Sequence, residues 1–225
     1  MSNQPLDPTE VIQSIPSLVN SSLVQCIRTA YSITDQIAQD FPILVSPHLA
    51  ATLGQIRFAL VNNVVAKSVK EGLVPGTANW YPVANASAHF MEYGIDGVRV
   101  TFASSAALYK LPKHSDFRVS RAYDNQLCLF PQDEPLFSEE SPAVLMLHGY
   151  QNLNFAQLVM PGVSDGRIVA LAWSPNLLTV GEDGGQSGMP SGGMPLDPIP
   201  AEPLAEIALK LRTEAVEIYK GSENR

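Results

Sequence analysis

Cysteine is nearly missing. Cys26 and Cys128 stand far apart in 225 residues, with no disulfide framework, thiolate metal cage or CxxC redox pair. Both sit among apolar neighbours, so buried free thiols and a reducing cytoplasm are the expectation. Charge is also sparse, at 16% of residues, which leaves room for an apolar contact surface. Positive charge is the scarcer sign: 14 Lys and Arg against 22 Asp and Glu, for a formal net charge of −8. Such a chain is repelled by phosphate backbones, which disfavours general nucleic-acid binding. No apolar run reaches the roughly 18 residues needed to span a bilayer. The N-terminus, MSNQPLDPTE, lacks the basic start and apolar stretch of a signal peptide. HExxH, paired CxxC and clustered carboxylates are absent, and Gly184-Gly185 and Gly192-Gly193 do not lie between a strand and a helix. No metal and no cofactor are expected.

What is present reads as α+β. Residues 1–72 form a helical segment expected to pack on a sheet. Between Pro16 and Asp40, Leu18, Leu23, Ile27, Ala30, Ile37 and Ala38 recur at roughly helical spacing until Phe41-Pro42 breaks the pattern. Ser46 as N-cap and Pro47 at the first helical position predict a second helix. Its apolar face runs from Leu49 through Leu53, Ile56, Leu60 and Val64, and Gly72 stops it. Residues 73–180 read as a mainly antiparallel β region of the same domain. Strands are predicted over 88–93 and 98–102, joined through Gly94-Ile95-Asp96-Gly97. Further strands are predicted over 143–149, 155–160 and 167–173, as a meander covered on one face by the helices. Residues 118–130 fit a strand or a short helix, and the helix is preferred. Residues 181–203 are rich in Gly and Pro and read as a flexible linker. Residues 204–220 read as an amphipathic helix whose stripe includes Leu204, Ile207, Leu211 and Ile218.

Two fragments invite a hydrolase reading. Val144–Leu147 followed by His148-Gly149 resembles an oxyanion-loop strand, and Gly162-Val163-Ser164-Asp165-Gly166 fits the nucleophile-elbow pattern. The context opposes it. Ser164 follows His148 too closely for an intervening helix and strand, and residues 167–171 read as a strand where a helix is required. No histidine follows Ser164, and a serine without a base has a negligible alkoxide population. Gly162–Gly166 therefore reads as a hairpin turn. A metal-assisted nuclease built on His89, Glu92 and Asp96 is the other enzymatic alternative. On a strand, however, His89 and Glu92 point to opposite faces.

Lys110, Lys113, His114, Arg118 and Arg121 make a local basic segment on an acidic chain. It reads as a solvated loop, or as a contact for an acidic partner or for RNA, though without the glycine and aromatic framing of an RNA module. The aromatic residues Trp80, Tyr81, Phe90, Tyr93, Phe102, Tyr150 and Trp173 fall in or beside the sheet region, where core packing accounts for most of them.

The order HFMEYGIDGVRVTF, LYKLPKHSDF, QLCLFP, LHGYQNLN, LVMPGV, VALAW, over residues 88–175, resembles an uncharacterised family of bacterial and phage proteins. Genes of that family tend to lie beside Xre-type helix-turn-helix and ImmA-IrrE metallopeptidase proteins, in toxin–antitoxin or stress-response arrangements. The resemblance implies a protein partner, such as a co-encoded regulator or peptidase, and carries over no catalytic residue. The expectation is a non-enzymatic interaction module. Its partner contacts would be the stripe Leu204, Ile207, Leu211 and Ile218 and the basic residues Lys110, Lys113, Arg118 and Arg121. A homo-oligomeric structural or phage-assembly protein is a further alternative.

Overall fold

The computed structural model describes residues 7–82, 89–129 and 141–179. The predicted linker and C-terminal helix (181–203 and 204–220) lie outside the described residues. The fold is α+β, with three helices at the N-terminus and a six-stranded, mostly antiparallel sheet.

Helix α1 (Pro8–Ser14) escapes the sequence reading. Its signal is local: the Asp7 side chain accepts from the Thr9 N–H at 2.8 Å, and Pro8 occupies the first turn. Helix α2 (Ser17–Asp40) has the expected bounds. Leu23, Ile27, Ala30, Thr34 and Ile37, spaced four and three apart, are all buried, so one continuous stripe faces the core. Phe41-Pro42 ends the helix, and a 3-10 turn over Pro42–Val45 follows. Helix α3 (Ala50–Lys70) starts later than predicted. Ser46 and Pro47 lie in the turn before it. Leu49 is the cap residue, with no side-chain bond, and its N–H is donated to the Ser46 carbonyl. Lys67 and Lys70 lie in the last turn, where cations meet the negative end of the helix dipole.

The strands are β1 (Thr77–Pro82), β2 (His89–Ile95), β3 (Val98–Ser105), β4 (Ala143–Gly149), β5 (Ala156–Ser164) and β6 (Arg167–Trp173), side by side in chain order. Strand β1 is a second element the periodicity missed. Two hairpins close on two-residue turns. Asp96-Gly97 (φ 46° and 75°) joins β2 to β3, and Asp165-Gly166 (φ 50° and 70°) joins β5 to β6. Positive φ at both positions is the turn whose twist matches paired strands, and glycine at the second position adopts it without steric cost. Gly94 and Ile95 belong to β2 rather than to a longer loop.

One feature was not foreseen and one expectation needs correction. First, β3 and β4 are parallel, in register from Arg99↔Ala143 to Ser105↔Gly149. A parallel neighbour needs a crossover, and helix α4 (Asp116–Leu129) lies in it. The preference for a helix over a strand near 118–130 agrees with this element. Second, the sheet is covered on both faces. Val100, Phe102, Val144, Met146, Leu158 and Met160 share a core with α1, α2 and α3, while Ala103, Leu145, Leu147 and Val159 form a cluster on the opposite face. Every residue of β4 and all but the last of β5 are buried. That continuous apolar run is the pattern of a strand enclosed on two sides.

Helix α4 is fastened to the second face by polar contacts. Asn125 is fully buried. Its Nδ2 donates to the carbonyls of Ala143 (2.8 Å) and Pro161 (2.7 Å), and its Oδ1 accepts from the Ala143 N–H at 2.7 Å. Beside it, Arg121 contacts Glu92 and Asp124, each at 3.2 Å, and Arg99 reaches the same Asp124 at 3.4 Å.

Candidate functional site

The hydrolase fragments are far apart in space. Ser164 closes the β5–β6 hairpin, so the nucleophile-elbow pattern is a turn. His148 pairs with Ala156, at the opposite end of β5 from Ser164. At about 3.4 Å per residue the two lie roughly 27 Å apart along the strand. His148 is 1% exposed and faces α2 rather than a cleft. Its Nδ1 lies 2.8 Å from Tyr31 Oη, and that hydroxyl donates to the Gly149 carbonyl. With its hydrogen so used, the hydroxyl accepts from a protonated Nδ1, and Nε2 carries the lone pair. Burial lowers the His148 pKa to about 4, with a smaller opposing effect from the Gly149 hydrogen bond. Burial likewise pushes the Tyr31 hydroxyl upward. The pair is neutral and closed off, an arrangement that holds α2 to the end of β4.

The metal alternative fares similarly. His89 is exposed at the first residue of β2, Glu92 is buried under α4 in its ion contacts, and Asp96 sits in the hairpin turn. Among the described residues no group of three or more His, Cys, Asp or Glu is placed to hold a metal ion. Cys26 is buried 3.5 Å from the Ser68 hydroxyl, and burial raises its thiol pKa to about 11, which makes it unreactive. The side chain of Cys128 lies outside the described residues. Among those residues no helix is long and apolar enough to cross a membrane.

The basic segment is not one surface. Lys110, Lys113 and His114 are exposed, while Arg121 is engaged by Glu92 and Asp124. Arg118 is half-buried and donates to the Lys113 carbonyl at 2.7 Å. The other predicted contacts, Leu204, Ile207, Leu211 and Ile218, lie outside the described residues.

Sequence reasoning missed two features. The first is the outer edge of β1. Counting back from the Asp96-Gly97 turn, the alternation of an antiparallel ladder points the backbone of Phe90, Glu92 and Gly94 toward β1. Their partners Tyr81, Asn79 and Thr77 use their own groups in return. The N–H and C=O of Ala78 and Trp80 therefore point away from the sheet, as does Pro82, which has no N–H to donate. The strand TANWYP carries no charge, and its Trp80 and Tyr81 are 42% and 37% exposed. Arg121 lies over the Tyr81 ring, 6.0 Å from its centroid.

The second feature is a split in the sheet. The β2–β3 pairing ends at Glu92↔Thr101, although β1–β2 pairing continues to Pro82↔His89 and β3–β4 pairing to Ser105↔Gly149. A cavity of ≈ 970 Å³ lies where the strands part, reached by Met91 and Phe102 and lined by α3 on one side and the start of α4 on the other. Phe90 stacks on Tyr81 (centroids 5.6 Å) and lies against Phe117 at 3.7 Å, making an aromatic wall.

Among the described residues the candidate sites are thus a free strand edge and an aromatic cavity. No protein family, curated protein or solved structure matches this chain.

Proposed function

We propose that the chain is a non-catalytic interaction module that takes an extended segment of a protein partner onto the outer edge of β1. The observation that supports this reading most is the edge itself. Exposed edge strands are usually blunted by lysine, inward charges or bulges, because they template pairing with another chain. TANWYP has none of these before Pro82, and it offers backbone donors and acceptors at alternate positions. An added strand would bond Ala78 and Trp80 and lay its side chains against Trp80 on one face and Tyr81 on the other. The net charge of −8 favours a partner of opposite sign through its effect on encounter.

By the family resemblance, that partner is a co-encoded regulator or peptidase, with this chain in an antitoxin-like or regulatory role. The stripe Leu204, Ile207, Leu211 and Ile218 is proposed as a second contact, a helix seated in an apolar groove. A chain ending at residue 180 is expected to give the full-length unfolding midpoint but at least tenfold weaker binding. Calorimetric titration of the two forms checks this, and equal affinities would remove the stripe from the interface.

The edge is tested by Trp80→Pro, which deletes an outward N–H and leaves the β1–β2 rungs in place. The variant is expected to keep its circular dichroism spectrum and to lose the partner captured from source cells by the wild type. Cross-links from that partner should map to residues 77–82. Retained capture, or cross-links elsewhere, would end the edge reading. A dimer by size exclusion that Trp80→Pro dissolves would identify the occupant as a second copy instead.

A further inference from the structure

We infer that the cavity between β2 and β3 is a binding site for a small planar heteroaromatic acid that carries an N–H donor. This stands apart from the edge reading, because its polar anchors, Asn62 and Arg118, take no part in that edge, although Tyr81 borders both.

Three observations converge. Asn62, on α3, lines the cavity and is 2% exposed. Its Nδ2 donates to the Phe58 carbonyl at 2.8 Å, but its Oδ1 has no hydrogen-bond partner among the described residues. A buried acceptor left unsatisfied costs about 1–3 kcal/mol. Asn62 borders the cavity while its Oδ1 is closed to solvent, so a small rotation of the amide would let it meet a donor supplied from outside the fold. On the α4 side, Arg118 lines the same cavity. It donates to the neutral Lys113 carbonyl, and no carboxylate of the described residues forms an ion pair with it. Burial disfavours its charge, and Asp116 is the one carboxylate among the described residues that also lines the cavity. Arg121 differs, since Glu92 and Asp124 already neutralise it. An anionic group on the ligand would give Arg118 the charge-assisted bond it lacks.

The rings of Tyr81, Phe90 and Phe117 line the same cavity. Aromatic faces favour a flat ring stacked or set edge-on against them. A volume of ≈ 970 Å³ is within the range of small-molecule sites. The chemistry asked of the occupant is therefore a planar ring, an N–H directed at Asn62 Oδ1, and a negative charge at Arg118. Free aromatic acids and nucleotides share it.

The test titrates the full chain, by calorimetry, with indole-3-acetate and adenosine monophosphate, each of which has all three features. Indole lacks the charge and benzoate lacks the N–H. At least one complete probe is expected to saturate a single site, with each partial probe at least tenfold weaker. Which complete probe binds separates a free aromatic acid from a nucleotide. Asn62→Leu and Arg118→Gln are each expected to weaken that binding tenfold or more. Arg118→Gln is the decisive variant if Asn62→Leu fails to fold. Absence of saturable binding by both complete probes at millimolar concentration, or affinity unchanged in Arg118→Gln, overturns the inference.

Discussion

Asn125→Asp is expected to destabilise the fold by about 3–5 kcal/mol, the cost of an uncompensated buried charge. The wild-type amide bridges α4 to β4 and β5 by donating to two carbonyls and accepting one N–H, with no solvent exposure. Aspartate keeps the acceptor and loses both donors. Its carboxylate would then face the carbonyl oxygens of Ala143 and Pro161, both electronegative. Protonation restores one donor, so the deficit should shrink as pH is lowered from 8 to 5. Urea unfolding followed by circular dichroism measures it. Asn125→Leu is the uncharged control and should lose less, because it brings no charge into the site. A loss below about 1 kcal/mol for the aspartate variant would mean that α4 is not held by this residue.

His148 sets the second large effect, which is a pH dependence. Its pKa falls from 6.5 to about 4 on folding, because burial penalises the imidazolium. Between those values the unfolded chain binds the proton and the folded one does not. The contribution is therefore complete above about pH 6.5 and is lost as pH falls toward 4. The shift corresponds to about 3 kcal/mol at 1.36 kcal/mol per unit. Carboxylates titrate over part of the same range, so the comparison needs a variant. His148→Asn keeps a polar atom near the Nδ1 position and does not titrate. Its stability is expected to be lower at pH 7 but flatter between pH 7 and 4 than that of the wild type. Parallel pH profiles for the two proteins would rule out His148 as the titrating group.

Much of the local structure was legible in the residue pattern. The α2 stripe from Leu23 to Ile37, the two Asp-Gly turns and the break at Phe41-Pro42 each rest on neighbours in the chain, and each stands in the structure. The same local logic dismissed the elbow pattern at Ser164, since Asp165-Gly166 is a hairpin signal in its own right. Where local signals were weak or unread, elements were missed. Asp7-Pro8 is a cap signature, but the seven-residue helix behind it is too short to show a period, and TANWYP is too short and too polar to stand out as a strand. The Ser46-Pro47 cap signature pointed to a turn that α3 begins after.

The site depended on contacts that no local pattern encodes. Asn62 and Arg118 lie on different helices. They line one cavity only because β2 and β3 stop pairing at Glu92↔Thr101. Tyr31 meets His148 across most of the domain, and Asn125 meets Pro161 across a parallel crossover. By itself the sequence determined periodicity, turns, fold class and the shortage of metal- and nucleophile-type motifs, because these follow from backbone preference and composition over a few residues. Only the tertiary structure decided which face α4 covers, where the sheet splits and which polar atoms are left waiting inside it. Those outcomes follow from how apolar surfaces of distant segments are buried together, and a hydrogen bond left unmade is visible only once its surroundings have closed around it.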